Sequence, residues 1–258
     1  LGTCHNWDRI NPEELSQCVI GTSERPELDF ALWGDSHAGA IAHAVDAVAN
    51  SGGKSGLQLT SDDCPPLLKT QVRIQRQLTD CEDRNAAAFA LLRQHRIRQI
   101  ILAGAWVQYV GDYKTVKLSN DPNATDGTVA SFRRALNYTI GHLRALGIDV
   151  VIVGPVPDIG WNVPYVLAAA EKRKEVLPDG PSLGDFLTSQ REVIPILRGL
   201  ENDGINVIYP HEVLCRAICI VQLDGQLLYR DREHLTTVGA ELLRPMLTEQ
   251  LIRVDAVP

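Results

Sequence analysis

No stretch of this 258-residue sequence approaches the roughly 18 to 20 uninterrupted apolar residues that a membrane-spanning helix needs. The first residues also lack the basic segment and following apolar run of a signal peptide. Clusters of lysine and arginine are missing too, and the formal net charge is −7. A nucleic-acid-binding surface needs such clusters to neutralise phosphates, so the composition predicts no nucleic-acid partner.

The chain also lacks an initiating methionine, because it opens at Leu1. We therefore expect a mature or excised piece, with a signal peptide or a membrane segment preceding it. Its length and its 45% hydrophobic content are enough to bury a full core as one large domain.

Six cysteines fall in three local pairs, and six cysteines allow 15 connectivities. Pairing between sequence neighbours would close three short loops and suits a secreted or periplasmic protein, whereas reduced thiols in the cytosol are the alternative. No second Cys/His pair has the close spacing of Cys215 and Cys219, so we predict no metal site. The predicted disulfides are Cys4–Cys18, Cys64–Cys81 and Cys215–Cys219.

Apolar runs of strand length alternate with segments of helical periodicity along the chain. The predicted strands are Leu28–Trp33, Lys54–Thr60, Gln99–Ala105, Asp149–Gly154 and Ile205–Tyr209. The predicted helices are Ala38–Asn50, Cys81–His95, Thr128–Leu146, Val166–Val176, Leu183–Leu200 with a break near Pro195, and Thr236–Val254. A clipped loop with a short hairpin is expected over Cys215–Leu228.

This alternation predicts an α/β fold in which a mostly parallel, five-stranded sheet has helices on both faces. We expect residues 1–27 to form an irregular, disulfide-clipped lead-in and residues 28–258 to form one domain. Reactive residues of such folds lie at the carboxyl ends of strands.

Ser36 follows the first predicted strand, and Asp231 and His234 stand three residues apart before the last helix. A serine hydroxyl becomes a good nucleophile when an imidazole takes its proton and a carboxylate orients that imidazole. Each residue also has a structural interpretation, as a helix cap or a turn residue. Their combination with an α/β pattern favours a catalytic triad.

These residues carry a resemblance to a known family. Gly34-Asp35-Ser36 resembles the first block of the SGNH (GDSL-type) hydrolase superfamily, and Asp231–His234 resembles its last block. One branch is more similar still: the periplasmic SGNH domain fused behind the membrane acyltransferase-3 domain of bacterial polysaccharide O-acetyltransferases. The segments that resemble it are Trp33–Ala38, Cys64–Pro66, Leu102–Trp106, Leu228–Asp231 and His234–Thr236.

The resemblance implies a flavodoxin-like, three-layer α/β/α sandwich and an acyl-serine route without a cofactor. Ser36 would attack an acetyl donor, His234 would shuttle the proton and Asp231 would orient the imidazole. A membrane acyltransferase-3 domain on the same polypeptide would pass on the acetyl group, and a polysaccharide would accept it. The domain would lie on the periplasmic or extracellular face, tethered to the inner membrane. A carbohydrate acetylesterase and a non-catalytic, glycan-positioning domain are the alternatives.

The superfamily's block III asparagine, a side-chain donor to the oxyanion, has no counterpart in Gly104-Ala105-Trp106. We therefore expect an oxyanion hole built from the backbone N–H of Ser36 and a donor around Gly104 to Trp106, and a weak hydrolase. Four aromatic residues are predicted to form a substrate wall that stacks on sugar rings: Trp106, Tyr109, Tyr113 and Trp161.

Overall fold

A six-stranded sheet forms the middle layer of the computed structural model, which describes residues 4–6, 17–22, 27–111, 113–119 and 128–252. The strands in chain order are β1 (Val19–Gly21), β2 (Phe30–Gly34), β3 (Ser55–Thr60), β4 (Thr70–Ile74), β5 (Gln77–Leu78), β6 (Gln99–Ala103), β7 (Lys114–Leu118), β8 (Asp149–Val153), β9 (Asn206–Ile208), β10 (Gln222–Leu223) and β11 (Gln226–Leu227). The central sheet has the order β1-β3-β2-β6-β8-β9.

Five of these six strands run parallel, which confirms the predicted sheet. The sixth, β1, pairs antiparallel with β3 at the edge. It comes from the segment that we expected to be irregular, and at three residues it is too short to show a periodicity of its own.

Helices cover both faces of the central sheet. They are α1 (Ser36–Ser51), α2 (Cys81–Gln94), α3 (Thr128–Ala145), α4 (Val163–Arg173), α5 (Leu183–Ser189), α6 (Ile194–Asn202), α7 (His211–Leu214), α8 (Thr237–Glu241) and α9 (Arg244–Ile252). Neighbouring side chains of β6 point to opposite faces, as a strand requires. Ile100 and Leu102 pack with residues of α2, α3 and α6, whereas Ile101 and Ala103 pack with residues of α1, α4 and α9. The α/β/α sandwich is thereby confirmed.

Two of the predicted long helices are each divided. The helix predicted over 183–200 is interrupted at residues 190–193, and Pro195 stands in the first turn of α6. Proline is tolerated there because the first turn has no internal partner for its missing N–H. The helix predicted over 236–254 is divided between α8 and α9.

A second, three-stranded sheet has the order β5-β4-β7 and lies in segments where we predicted no strand or helix. Its strands are mostly polar, and only Val72 and Val116 place a hydrophobic side chain fully in the core. Such short, polar strands give a weak pattern in the sequence. The sheet matters for the site because β7 begins at Lys114, whose ammonium group reaches toward it.

The three predicted disulfides are present: Cys4–Cys18, Cys64–Cys81 and Cys215–Cys219. The first holds residues 4–6 against the end of β3, where the Asn6 N–H donates to the carbonyl of Thr60 at 2.8 Å. The other parts of the predicted lead-in, except residues 17–22 and Glu27, lie outside the described residues. Within the described ranges, no helix combines the length and the apolar character that crossing a membrane would require.

Candidate active site

The turn from β2 into α1 presents Ser36 at the carboxyl end of the sheet. Gly34 allows this turn, because a Cβ atom at that position would lie 1.8 Å from the carbonyl oxygen of Ala103. Asp35 then caps α1 by accepting a hydrogen bond from the His37 N–H at 2.8 Å. Asp35 is therefore the N-cap residue, and Ser36 is the first residue of the helix.

The Asp35 carboxyl group joins this turn to the segment that follows β6. It is 1% exposed and also accepts from the Ala105 N–H at 2.8 Å and from the Tyr109 hydroxyl at 2.9 Å. Burial raises the pKa of Asp35, against the opposing effect of these hydrogen bonds. Sequence reasoning gave Asp35 no role of its own, although its position inside the Gly-Asp-Ser motif was the available signal.

His234 lies between Ser36 and Asp231. Its Nε2 is 2.7 Å from the Ser36 hydroxyl oxygen, and its Nδ1 is 2.8 Å from Oδ2 of Asp231. Because a carboxylate faces Nδ1, that nitrogen carries the proton, and Nε2 is left to accept one from Ser36. The structure thus brings these three residues together, although Ser36 and His234 are 198 positions apart in the sequence.

Asp231 is held in its ionised form. Partial burial by itself would raise its pKa, but hydrogen bonds from the backbone N–H groups of Glu233 and His234, together with the His234 ring, lower it on balance. Both N–H groups donate to Oδ1, at 2.9 Å and 2.8 Å. A hydroxyl, a neutral imidazole and a carboxylate in this order can activate the hydroxyl as a nucleophile.

A second segment braces the loop that carries Asp231 and His234. The Arg232 guanidinium forms a paired contact with the Asp158 carboxylate, at 2.9 Å and 2.5 Å. The Ile159 N–H donates to the Arg232 carbonyl at 2.8 Å, and the Val163 N–H donates to the Asp231 carbonyl at 3.1 Å. The loop that carries Asp231 and His234 is therefore held in place by the residues after β8.

His37 packs beneath His234, with 4.8 Å between the two ring centroids. Its side chain is buried, and Nε2 has no hydrogen-bond partner among the described residues. Burial, with a smaller effect from the charge of His234, lowers the pKa of His37 to about 3. The imidazole of His37 is therefore neutral at physiological pH.

Glu233 lies close to His37 and His234. Its Oε2 accepts from the Gln108 amide at 2.7 Å, and the Gln108 oxygen accepts from the Lys114 ammonium. Burial and the nearby Asp158 raise the pKa of Glu233. One ring nitrogen each from His37 and His234 and one carboxylate oxygen of Glu233 all lie within 4.8 Å of one another, a group that can hold a metal ion. The sequence predicted no metal site, because no second Cys/His pair has the close spacing of Cys215 and Cys219.

The predicted substrate wall is wrong at two of its four residues. Trp106 and Tyr109 are both 0% exposed, so neither can stack on a sugar. A 3₁₀ turn after β6 folds them inward, where the Trp106 indole donates to the Val153 carbonyl at 2.7 Å and the Tyr109 hydroxyl binds Asp35. Tyr113 is 59% exposed and Trp161 is partly buried, and their contact with substrate stays a prediction.

The predicted oxyanion donors are only partly free for that role. The Asp35 carboxyl group lies against Gly104, since a Cβ atom there would be 3.2 Å from Oδ2. The Ala105 N–H already donates to Asp35, and the Trp106 indole is used by Val153. The indole is therefore excluded, while the backbone N–H groups of Ser36, Gly104 and Trp106 stay predicted donors.

A groove of about 490 Å³ runs along α1 beside the site. Gly39, Ala40 and His43 form part of one wall, and they follow Ser36 by three, four and seven positions, so all lie on its face of the helix. Residues on either side of His234 contribute to the opposite wall, namely Arg230, Leu235 and Thr236. The groove mixes polar and apolar surface, which suits a sugar ring.

The chain is similar to a known protein family and to several solved structures. Residues 3–249 match the sequence model of the family described as the SGNH domain fused to AT3 domains, and no curated protein matches the chain. The fold is similar to the periplasmic domain of a lipopolysaccharide acetyltransferase from Salmonella ser. Paratyphi A, with a TM-score of 0.67, 16% identity and coverage of 89% of this chain and 85% of that chain.

Two further solved structures share the fold. A GDSL-like lipase from Bacteroides thetaiotaomicron has a TM-score of 0.51 and 10% identity, covering 89% of each chain. A carbohydrate acetylesterase from Sinorhizobium meliloti has a TM-score of 0.50 and 12% identity, covering 87% of this chain and 98% of that one.

Proposed function

Because this chain belongs to the family of SGNH domains fused to AT3 domains, we propose that it is an extracytoplasmic serine acyltransferase domain. It moves an acetyl group, through acyl-Ser36, onto a cell-envelope polysaccharide such as an O-antigen or an exopolysaccharide. The observation that carries the proposal is the unbroken hydrogen-bond chain from Ser36 through His234 to Asp231.

In the first half of the reaction, the Ser36 oxygen attacks the carbonyl carbon of the acetyl donor, and His234 Nε2 takes the hydroxyl proton. Asp231 stabilises the resulting imidazolium through Nδ1–H. The bond to the donor's leaving group then breaks, His234 returns the proton to that group, and acetyl-Ser36 is left.

In the second half, a sugar hydroxyl gives its proton to His234 and attacks acetyl-Ser36. The ester to Ser36 breaks, the serine oxygen takes the proton back, and the acetylated sugar leaves. Water in place of the sugar hydroxyl gives hydrolysis by the same steps, so the acceptor alone separates a transferase from a carbohydrate acetylesterase.

Three observations support the proposed partners and location. The family is one in which the SGNH domain is fused to AT3 domains, which favours an acetyl donor delivered by a membrane acyltransferase domain on the same polypeptide. The lipopolysaccharide acetyltransferase that shares the fold contributes a periplasmic domain. Three disulfides suit an oxidising compartment, and we therefore place this domain on the periplasmic or extracellular face, tethered to the inner membrane.

The groove along α1 is our proposed acceptor site. It begins on the face of α1 that carries Ser36 and offers hydroxyl, imidazole and guanidinium groups from Thr236, His43 and Arg230. A glycan lying in it would present a hydroxyl to His234, which borders the groove through its neighbours Leu235 and Thr236.

An activated acetyl ester tests the chemistry. We expect the wild-type protein to release acetate and Ser36→Ala to release none above background, while circular dichroism shows the same fold for both. Acetate release that does not depend on Ser36 would refute both the acyltransferase and the acetylesterase proposals. The glycan-positioning domain would then be the remaining proposal.

Candidate polysaccharides added to the same reaction test the acceptor. We expect acetylated glycan to form at the expense of free acetate. If water is the only acceptor with every glycan, the protein is a carbohydrate acetylesterase.

A further inference from the structure

Of the group formed by His37, Glu233 and His234, the acyl-transfer steps use only His234 and give no role to His37 or Glu233. We propose that these three residues bind a transition-metal dication, for which Zn²⁺ is the best fit, and that the bound ion switches off the base. Their ligand atoms lie within 4.8 Å of one another, so closure onto an ion needs side-chain shifts of only an ångström or so.

The ligand chemistry fits zinc. Imidazole nitrogens and a carboxylate oxygen are ordinary zinc ligands, at about 2.0 to 2.2 Å. The nitrogen that His234 offers is Nε2, because Asp231 holds the proton of Nδ1. A histidine whose other nitrogen donates to a carboxylate is the usual form of a zinc-ligating histidine.

His37 supplies the second nitrogen. Its side chain is more than nine-tenths buried, and its Nε2 has no partner among the described residues. A buried polar atom without a partner destabilises the fold, and ligation removes that penalty.

Charges of both signs lie around the group. Carboxylates of Asp231, Asp158 and Glu233 lie nearby, against the ammonium of Lys114 and the guanidinium of Arg232. Two nitrogen ligands select zinc and similar ions over Mg²⁺ and Ca²⁺, which prefer oxygen.

Binding has a direct consequence for catalysis. The lone pair of His234 Nε2 is the one that accepts the Ser36 proton across 2.7 Å. An ion on that nitrogen removes the base, and acyl transfer stops until the ion leaves. This inhibitory consequence rests on the proposed function, whereas binding of the ion does not.

Isothermal titration of the purified protein with ZnCl₂ tests binding without any activity readout. We expect one ion per chain, and affinity at least about tenfold weaker in Glu233→Gln and in His37→Phe, since even partners outside the ligand set cost 10- to 100-fold when removed. His142→Gln removes an exposed histidine on α3 and serves as the matched control, with unchanged affinity. Circular dichroism checks the fold of His37→Phe, and Glu233→Gln carries the test if that variant fails to fold.

The same zinc series, followed with the activated ester, should inhibit the wild-type protein and be reversed by EDTA, while MgCl₂ at the same concentrations has no effect. Absence of zinc binding to the wild-type protein would overturn the proposal. So would affinities within threefold of wild type in Glu233→Gln, or an equal loss in His142→Gln. Zinc binding by a protein that shows no Ser36-dependent acetate release would uphold the metal site and refute the proposed function alone.

Discussion

Replacing Tyr109 with phenylalanine removes one of three hydrogen bonds to the buried carboxyl group of Asp35. The hydroxyl lies 2.9 Å from Oδ2, and both side chains are at most 1% exposed, so water cannot take its place. A hydrogen bond to such a group contributes about 1–3 kcal/mol, with the upper end for a charged acceptor. We expect Tyr109→Phe to lower the free energy of unfolding by that amount.

Asp35→Asn perturbs the other partner. Its single carbonyl oxygen can serve Ala105 and Tyr109, which both donate to Oδ2, but its amide then faces the His37 N–H that starts α1. One buried donor without an acceptor costs a further 1–3 kcal/mol or so. Because that donor is next to Ser36, we expect activity to fall as well as stability.

Urea unfolding of the wild-type protein, both single variants and the double variant measures the coupling between the two side chains. Tyr165→Phe is the control, because Tyr165 is 75% exposed and its change should stay within about 0.5 kcal/mol. A coupling energy below about 0.5 kcal/mol would refute the view that Asp35 joins the nucleophile turn to the segment behind β6.

Four further predictions concern Asp231, the Cys64–Cys81 disulfide and Gly34. Asp231→Asn should lower kcat on the activated ester by a factor on the order of 10⁴. Folding lowers the pKa of Asp231 below its unfolded value of about 3.9. The stability that the ionised carboxylate contributes is therefore present above that pH and is lost as the pH falls below it. Urea unfolding at several pH values should show the stabilities of the wild-type protein and Asp231→Asn converging in acid, and a constant difference between them would contradict this. Removing the Cys64–Cys81 disulfide, which spans 17 positions, should cost about 3 kcal/mol, and an unchanged urea midpoint for the double serine variant would count against it. Gly34→Ala places a methyl group 1.8 Å from the Ala103 carbonyl and should cost more than about 4 kcal/mol, so a native circular dichroism melt would contradict the tight turn.

The five parallel strands of the main sheet could be predicted from the sequence because most of them are short apolar runs buried on both faces. Residues 99–103 are entirely buried, and no helix-like spacing competes with that run. The side sheet could not be read in this way. In β4, Thr70 and Val72 point inward while Arg73 is exposed, and five residues of such mixed character resemble a loop.

For the site, the residues of local motifs were predicted and the contacts between distant segments were not. Ser36 and the Asp231–His234 pair belong to recognisable patterns. The placement of His37 against Glu233 depends on how the final loop folds over α1. The aromatic prediction failed because Trp106 follows a strand end, and the sequence does not say whether the next turn points the ring to solvent or into the core.

The most direct test of the central claim is mass spectrometry of the protein quenched during turnover of an acetyl ester. The proposed route predicts one acetyl group on the peptide that contains Ser36, and its absence in Ser36→Ala. Turnover without acetyl-Ser36, or acetylation at another residue that persists in Ser36→Ala, would contradict an acyl-serine transfer route.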